Sequence, residues 1–552
     1  MKNLISTLIV NSIMSNWDNI VMIENGEAHS FKKLALFIVK LTTFLDSLHI
    51  KEEFIALIGK FSFNYLVVYL TARINGIPLL IIDQGTSSAG VKSQLEENEV
   101  RLIFADKDHF GRIPETAYLQ GKIKLDNMFD YVAYTPGIPG MTKWKKEWDE
   151  EFEFLKKLQL PPDTDYKGAD FKNLIPDEEP DQIAILQQTP GASEMSRPIA
   201  YTEAKLVRIV NNIQATLKYF ATGKKVFIKA NHIFFHIISI LVPIITGKTL
   251  IVEDIVWTES VRRHGITHVF VESKEFENMW NLYFPWTKYK RSLLLRDYWL
   301  GRKIVGWKVR KYFRRILGKQ FEEITIFNNE LPKYILHILD ASKVVVHSTY
   351  GTMQTGQLIT YNDYRECKTC LTAGKPSWDI TLKIESDDPV RIPGEIKYRV
   401  TCSTNFEKNK FTGTGDIGKI NKNGELVVYG KIANAITQGV ITPIIVEEIE
   451  RQIYALPYVN KVYILRKEGK LRGYVDIDRN HLDGKRGGYS LAALENLLAG
   501  YVRMVNSHLE ANEQIEWITS VNWNKLPKAL NGKPIRRNFL KELIPEVTLE
   551  KV

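Results

Sequence analysis

Residues 411–431 read FTGTGDIGKINKNGELVVYGK, and the fold is read outward from them. "IGKI" and "ELVVYG" alternate apolar and polar side chains about "NKNG", the pattern of two short strands joined by a tight turn. "DITLKIE" and "GEIKYRVT", just upstream, have the same texture, so a small β subdomain begins near Trp378. Within the segment, Asp416 follows Gly415. An Asp beside a glycine is either an ordinary turn residue or a carboxylate that accepts hydrogen bonds from a pair of ligand hydroxyls at close approach. After Gly430 the pattern changes to helix, strand, turn, strand in "IVEEIERQIYALPYVNKVYILRKEGKLRGYVDI", which marks a separate, smaller C-terminal domain.

The N-terminal half alternates amphipathic stretches with apolar runs: "FIALIG", "YLVVYLTARINGIPLLIID", "VRLIFAD" and "QIAILQQT". Such alternation predicts a largely parallel sheet with helices on both faces. Residues 107–180 are polar and rich in Pro, Gly and Asp, and read as a surface connection with one helix-like piece at "WKKEWDEEFEFLKKL". At 552 residues, 44% hydrophobic and 25% charged, the chain is too long for one core and too balanced for disorder.

A formal charge of +10 raises nucleic acid as a partner, but no basic tail, finger spacing or aromatic-basic RNA pattern accompanies it. The reading is a protein that handles anions. Three cysteines make no disulfide framework; Cys367 and Cys370 have the spacing of half a zinc site, with only Cys402 besides, and read as incidental thiols. In the first segment Leu4, Ile5, Leu8, Ile9 and Ile13 fall on one helical face, no cleavage site follows, and no charge-free run is long enough for a bilayer, so a cytoplasmic location is expected.

In order along the chain, "LQQTPGASEMSRP", "HSTYGTMQTG", "FTGTGDIGKINKNGELVVYGK", "VEEIERQI" and "LPKALNGKPIRRNFL" resemble the motifs of the adenylate-forming superfamily: acyl-CoA synthetases, aryl-CoA ligases and peptide-synthetase adenylation domains. "GITHVFVESKEFENMW" and "VRKYFRRILG" lean toward its long-chain acyl-CoA synthetase branch. The resemblance implies an α/β fold with a large N-terminal domain of stacked α/β subdomains plus a small β-barrel, residues 1–430, and a smaller mobile α+β C-terminal domain, residues 431–552. It implies ATP, Mg²⁺ and CoA, or a phosphopantetheine carrier protein, as cofactors and partners, and a carboxylic acid as substrate.

By the same resemblance Asp416 holds the ribose, Tyr350-Gly351 packs on adenine, and Lys431 begins the hinge that continues to Asn434. Lys533 is the catalytic cation between carboxylate and α-phosphate, and His232 flanks the substrate carboxylate; a satisfied core histidine is its other reading. Thr189, Gly191, Ser193 and Arg197 fit a loop that grips pyrophosphate with backbone N–H groups, hydroxyls and one cation.

The chain departs from the family pattern at several of these places. Pro190 removes an N–H and Glu194 puts a carboxylate where glycine is usual. Gln354 replaces the metal-binding glutamate with an uncharged oxygen ligand, Asn328 and Asn329 replace an acyl-binding glycine pair, and "AITQGVITPIIVEE" aligns poorly with the loop beside the pantetheine thiol.

Two functions are expected on these grounds. One is an ATP-dependent acid ligase that adenylates a fatty or aryl acid and passes the acyl group to a thiol. The other is a degenerate, non-catalytic form of the fold that binds a nucleotide, an acyl group or a partner protein. The basic, aromatic-interleaved run from Lys288, "KYKRSLLLRDYWLGRKIVGWKVRKYFRRILGK", reads either as a solvated helical face or as a peripheral contact with an anionic membrane or an acidic carrier protein.

Overall fold

The computed structural model describes residues 4–50, 52–128, 181–188, 198–217, 226–228, 237–253, 257–283, 299–327, 335, 346–352, 355–356, 358–363, 372–401, 410–432, 435, 444–454, 456, 459–467, 470–477, 490–507, 509, 511 and 513–520. The chain opens with α1 (Leu4–Ser15), the hairpin β1 (Ile20–Glu24) and β2 (Glu27–Ser30), and α2 (Phe31–Ser47). Ile5, Ile9 and Ile13 are fully buried, one helical face as the sequence predicts, whereas Leu4 is 43% exposed.

The next body is a six-stranded sheet. It contains β3 (Ile55–Ile58), β4 (Leu79–Ile82), β5 (Leu102–Ala105), β6 (Gly121–Lys124), β7 (Ile183–Gln188) and β8 (Pro198–Thr202) in the order β6-β5-β3-β4-β7-β8, parallel except for the β7–β8 pair. Every residue of β3, β4 and β5 is buried, as expected of strands covered on both faces. Alternate side chains serve different cores: Ile55, Leu57, Leu79 and Phe104 pack with α1, α2 and α3 (Phe63–Ile74), while Ala56, Ile58, Leu80 and Ile103 pack with α4 (Ser88–Glu97).

α6 (Glu203–Thr216) leaves β8, and its Glu203 meets Arg73 of α3 at 2.8 Å with both side chains buried. The Arg73 guanidinium also donates to the Ile77 carbonyl, so the pair fixes the turn between α3 and β4. Part of the stretch read as surface connection is core: α5 (Lys107–Phe110) and β6 lie within it, β6 extends the sheet alongside β5, and Ile123, Leu125 and Met128 are buried.

The second body is a sheet of β9 (Val226–Ile228), β11 (His268–Glu272), β12 (Glu323–Phe327), β13 (Val346–Tyr350), β14 (Thr360–Asn362) and β15 (Lys375–Pro376), ordered β15-β14-β13-β12-β11-β9. Its first four strands in sequence run parallel, and β14 and β15 are antiparallel additions. A π-helical turn (Ile237–Leu241), α7 (Val242–Ile245) and β10 (Leu250–Val252) follow β9, and β10 pairs with β1 to extend the opening hairpin into a three-stranded sheet. α9 (Ser273–Tyr283) and α10 (Trp299–Leu317) bring Phe276, Trp280, Tyr312 and Phe313 into one aromatic core, to which α8 (Trp257–His264) adds Val261.

The predicted β subdomain is an antiparallel sheet of β16 (Ile380–Glu385), β17 (Gly394–Val400), β18 (Thr412–Ile420) and β19 (Leu426–Lys431). The C-terminal elements, α11 (Val446–Tyr454), β20 (Val459–Lys467), β21 (Lys470–Ile477), α12 (Leu491–Asn506) and β22 (Ile515–Ser520), close around their own core. Among the described residues no helix is long and apolar enough to cross a membrane.

Candidate functional site

Asp416 does not sit on a turn tip. It lies inside β18, at an irregularity created by register: Glu395 pairs with Ile417 and Lys397 with Gly413, so β18 spends more residues than β17 over the same span. This bulge re-aims the strand's side chains, and Gly415, at φ +71°, absorbs the left-handed turn of backbone it requires. A Cβ built on Gly415 meets no atom within 4 Å, so the backbone immediately before Asp416 is uncovered. The Thr414 hydroxyl locks the bulge, accepting from the Asp416 N–H at 3.1 Å and donating to the Ile396 carbonyl at 2.9 Å.

Two further predicted residues converge on this carboxylate. The Tyr350 hydroxyl, at the carboxyl end of β13, donates to Asp416 Oδ2 at 2.6 Å. Lys431 Nζ lies 2.5 Å from Asp416 Oδ1, brought there because Asp416 and Lys431 are cross-strand partners in β18 and β19. Asp416 is 5% exposed. Burial, and next the adjacent carboxylate, push the Tyr350 phenol far above its ordinary pKa, so it stays protonated and remains a donor throughout the accessible pH range. The tyrosine ring packs against the β-subdomain core of Ile384, Ile396 and Leu426.

Side chains not singled out in the sequence tie β13 to its neighbours. His347, on β13, lies 3.2 Å from Glu323 Oε2, and His268 lies 3.4 Å from the same oxygen, so three adjacent parallel strands share one buried polar network below Tyr350. Beyond Tyr350 and Gly351, Thr352 and Thr355 exchange backbone-to-hydroxyl bonds at 3.2 and 3.3 Å across a tight turn.

Asn212 of α6 pins both ends of the segment from Leu358 to Trp378: its amide donates to the carbonyls of Leu358 and Trp378 and to the Ser377 hydroxyl, and its oxygen accepts from the Leu358 N–H. Its sequence signal was a polar residue on a helical face otherwise made of Leu206, Ile209, Val210 and Ile213. Asn212→Leu is expected to cost about 2 kcal/mol of unfolding free energy in urea, because it leaves the Leu358 N–H and the Trp378 carbonyl without the side chain that pairs them, while the Ser377 hydroxyl and the Leu358 carbonyl keep each other.

Tyr350, Gly351, Asp416 and Lys431 are thus the predicted site residues that the structure describes, and three of them meet through their side chains. Thr189, Gly191, Ser193, Arg197, His232, Gln354 and Lys533 lie outside the described residues, as do Pro190, Glu194, Asn328, Asn329, Asn434 and the three cysteines. Gln188 and Pro198, which flank the proposed phosphate loop, pair with each other across β7 and β8. Among the described residues no group of His, Cys, Asp and Glu side chains has the makings of a metal site.

The geometry defines a class first: an α/β protein with two mostly parallel six-stranded sheets and an antiparallel sheet whose Asp416 meets Tyr350 at the carboxyl end of β13. The model of the AMP-binding enzyme family matches residues 12–403, and the chain belongs to that family. No curated protein matches the sequence. Among solved structures, the fold is similar to an anthranilate CoA ligase in complex with anthranoyl-AMP, at 12% identity and TM-score 0.71, over 98% of this chain and 97% of that one. It is also similar to the o-succinylbenzoate coenzyme A synthetase of Bacillus subtilis in complex with AMP, at 14% identity and TM-score 0.70, over 100% and 99%. A benzoate CoA ligase from Burkholderia xenovorans LB400 aligns at 16% identity and TM-score 0.70, over 98% and 100%.

Proposed function

We propose that the protein is an ATP-dependent acid ligase: it joins a carboxylic acid to AMP and then hands the acyl group to the thiol of CoA or of a carrier protein. The observation that carries this reading is the bulge-mounted Asp416, held between Tyr350 and Lys431 with open space at Gly415. A carboxylate has about four lone-pair sites, so the two present contacts leave room for a ribose diol to donate as well. The site therefore fits the nucleoside half of ATP.

In the first step a carboxylate oxygen attacks the α-phosphorus, an acyl–phosphate bond forms, and the bond to pyrophosphate breaks. Both reactants are anionic, and Lys533 is the side chain assigned to offset their repulsion. In the second step a thiolate attacks the acyl carbon and AMP leaves. Magnesium, when bound, neutralises phosphate charge, and Gln354 is the residue assigned to reach it through oxygen. Lys431, the last residue of β19, begins the proposed hinge at the boundary between residues 1–430 and 431–552. Two of the neighbours are named for aromatic acids, anthranilate and o-succinylbenzoate, and hold anthranoyl-AMP and AMP, which supports an acid-ligase reading and does not choose between fatty and aryl substrates here.

The test is acid-dependent pyrophosphate release over a panel of aromatic and fatty acids; release with none of them, in a protein that still binds AMP, would leave a binding protein instead. That second reading is favoured by Pro190, Glu194 and Gln354. A paired substitution addresses it directly. Glu194→Gly with Gln354→Glu should tighten Mg·ATP binding about tenfold, since one change removes a carboxylate from the phosphate loop and the other supplies one to the metal. A flat affinity would mean that the loop no longer holds phosphate.

A further inference from the structure

The basic run singled out in the sequence is largely α10, and its two faces differ sharply. Val309, Tyr312, Phe313 and Leu317 are buried in the aromatic core of the second body, so the helix is fixed in place along its inner side. The outer side carries Ile304, 41% exposed, and Trp307, 61% exposed. At about 100° per residue these two fall at the middle of the outer face, with Lys303, Arg310 and Arg314 along one flank and Lys308 and Arg315 along the other. Lys311 sits between them, its Nζ 5.1 Å from the centre of the Trp307 ring. No Asp or Glu occurs from Trp299 to Lys319. An ordinary solvated helix interleaves both signs of charge, and this one does not.

We infer that the outer face of α10 docks on the surface of an anionic phospholipid bilayer, with Trp307 and Ile304 entering the headgroup layer and the flanking lysines and arginines meeting lipid phosphates. Charge complementarity and composition both favour this occupant. Tryptophan with one polar edge suits the headgroup depth, and long cationic side chains keep their heads in the phosphate plane while their stems lie along apolar surface. An acidic protein partner would satisfy the cations and leave the exposed indole without a matching environment. The inner face is occupied by the protein's own core, so the contact is peripheral: the helix rests on the membrane and does not enter its hydrocarbon. The inference is independent of the ligase reading.

The experiment is flotation of the full-length protein with vesicles of phosphatidylcholine alone and of phosphatidylcholine with roughly one third phosphatidylglycerol, at low and high salt. Binding to the anionic vesicles should exceed binding to the neutral ones by about tenfold and fall as salt screens the charges. Arg310→Glu with Arg314→Glu should cut it about tenfold, and Trp307→Ser severalfold, in proteins that keep the parent's unfolding temperature because all three side chains are exposed. Lys303→Gln with Arg315→Gln provides a second, milder pair should the charge reversal disturb folding. Equal partition to both vesicles, no partition to either, or unchanged binding by folded variants would each overturn the inference. So would retention by an immobilised acidic carrier domain that the same variants abolish, with the vesicles ignored, since the face would then be a protein dock.

Discussion

Asp416→Ala is expected to weaken AMP binding by roughly 2–4 kcal/mol, on the order of a hundredfold in affinity. The side chain is buried, is paired with Lys431, and is carried on a backbone bulge. In the free protein the carboxylate already accepts from Tyr350 and faces Lys431, so its position does not have to be organised when ligand arrives. Tyr350→Phe, which removes one neutral donor and keeps the carboxylate and its cation, should lose only about 1 kcal/mol. Calorimetric titration of AMP into the parent and both variants distinguishes the two roles. An Asp416→Ala protein that folds and binds AMP as the parent does would mean that the carboxylate only staples β13 and β19 to β18.

That contrast also shows where sequence stops being informative. Asp416, Tyr350 and Lys431 could be picked out because each stands in a short motif, and the order of those motifs along the chain resembles that of the adenylate-forming superfamily. Their meeting could not, because it depends on the register of β17 against β18 and of β18 against β19. The network of His268, Glu323 and His347 was invisible for the same reason: its members lie on three separate strands, and no local pattern relates them.

Conversely, the buried runs at β3, β4 and β5 were legible because strands covered on both faces need continuous apolar sequence. β6 was not. "GKIK" reads as polar, yet Lys122 is buried with its ammonium donating to the Ile113 carbonyl at 2.8 Å, so the charged head finds an acceptor while its stem packs at the sheet edge.

On the proposed reading the described site serves nucleoside recognition alone, and the chemical step falls to residues outside it. A ribose acceptor alone would serve a binding protein equally well, since hydrogen bonds to a diol do nothing to lower the barrier between two anions. What separates ligase from binder is a cation available to the transition state, and the sequence offers Lys533 in "NGKPIRRNFL".

Lys533→Ala should therefore lower acid-dependent pyrophosphate release by about a thousandfold, the scale on which removing a single preorganised stabiliser of developing charge acts. The two half-reactions make the test specific. If the C-terminal domain turns between them, Lys533 serves adenylate formation alone, and the variant given pre-made acyl-adenylate and a thiol should form thioester at close to the parent's rate. AMP affinity should also hold, because Asp416 and Tyr350 are untouched. A parallel fall in both half-reactions would mark Lys533 as a structural residue, and undiminished pyrophosphate release would place the catalytic cation elsewhere, with Arg197 of the phosphate loop the first to replace next.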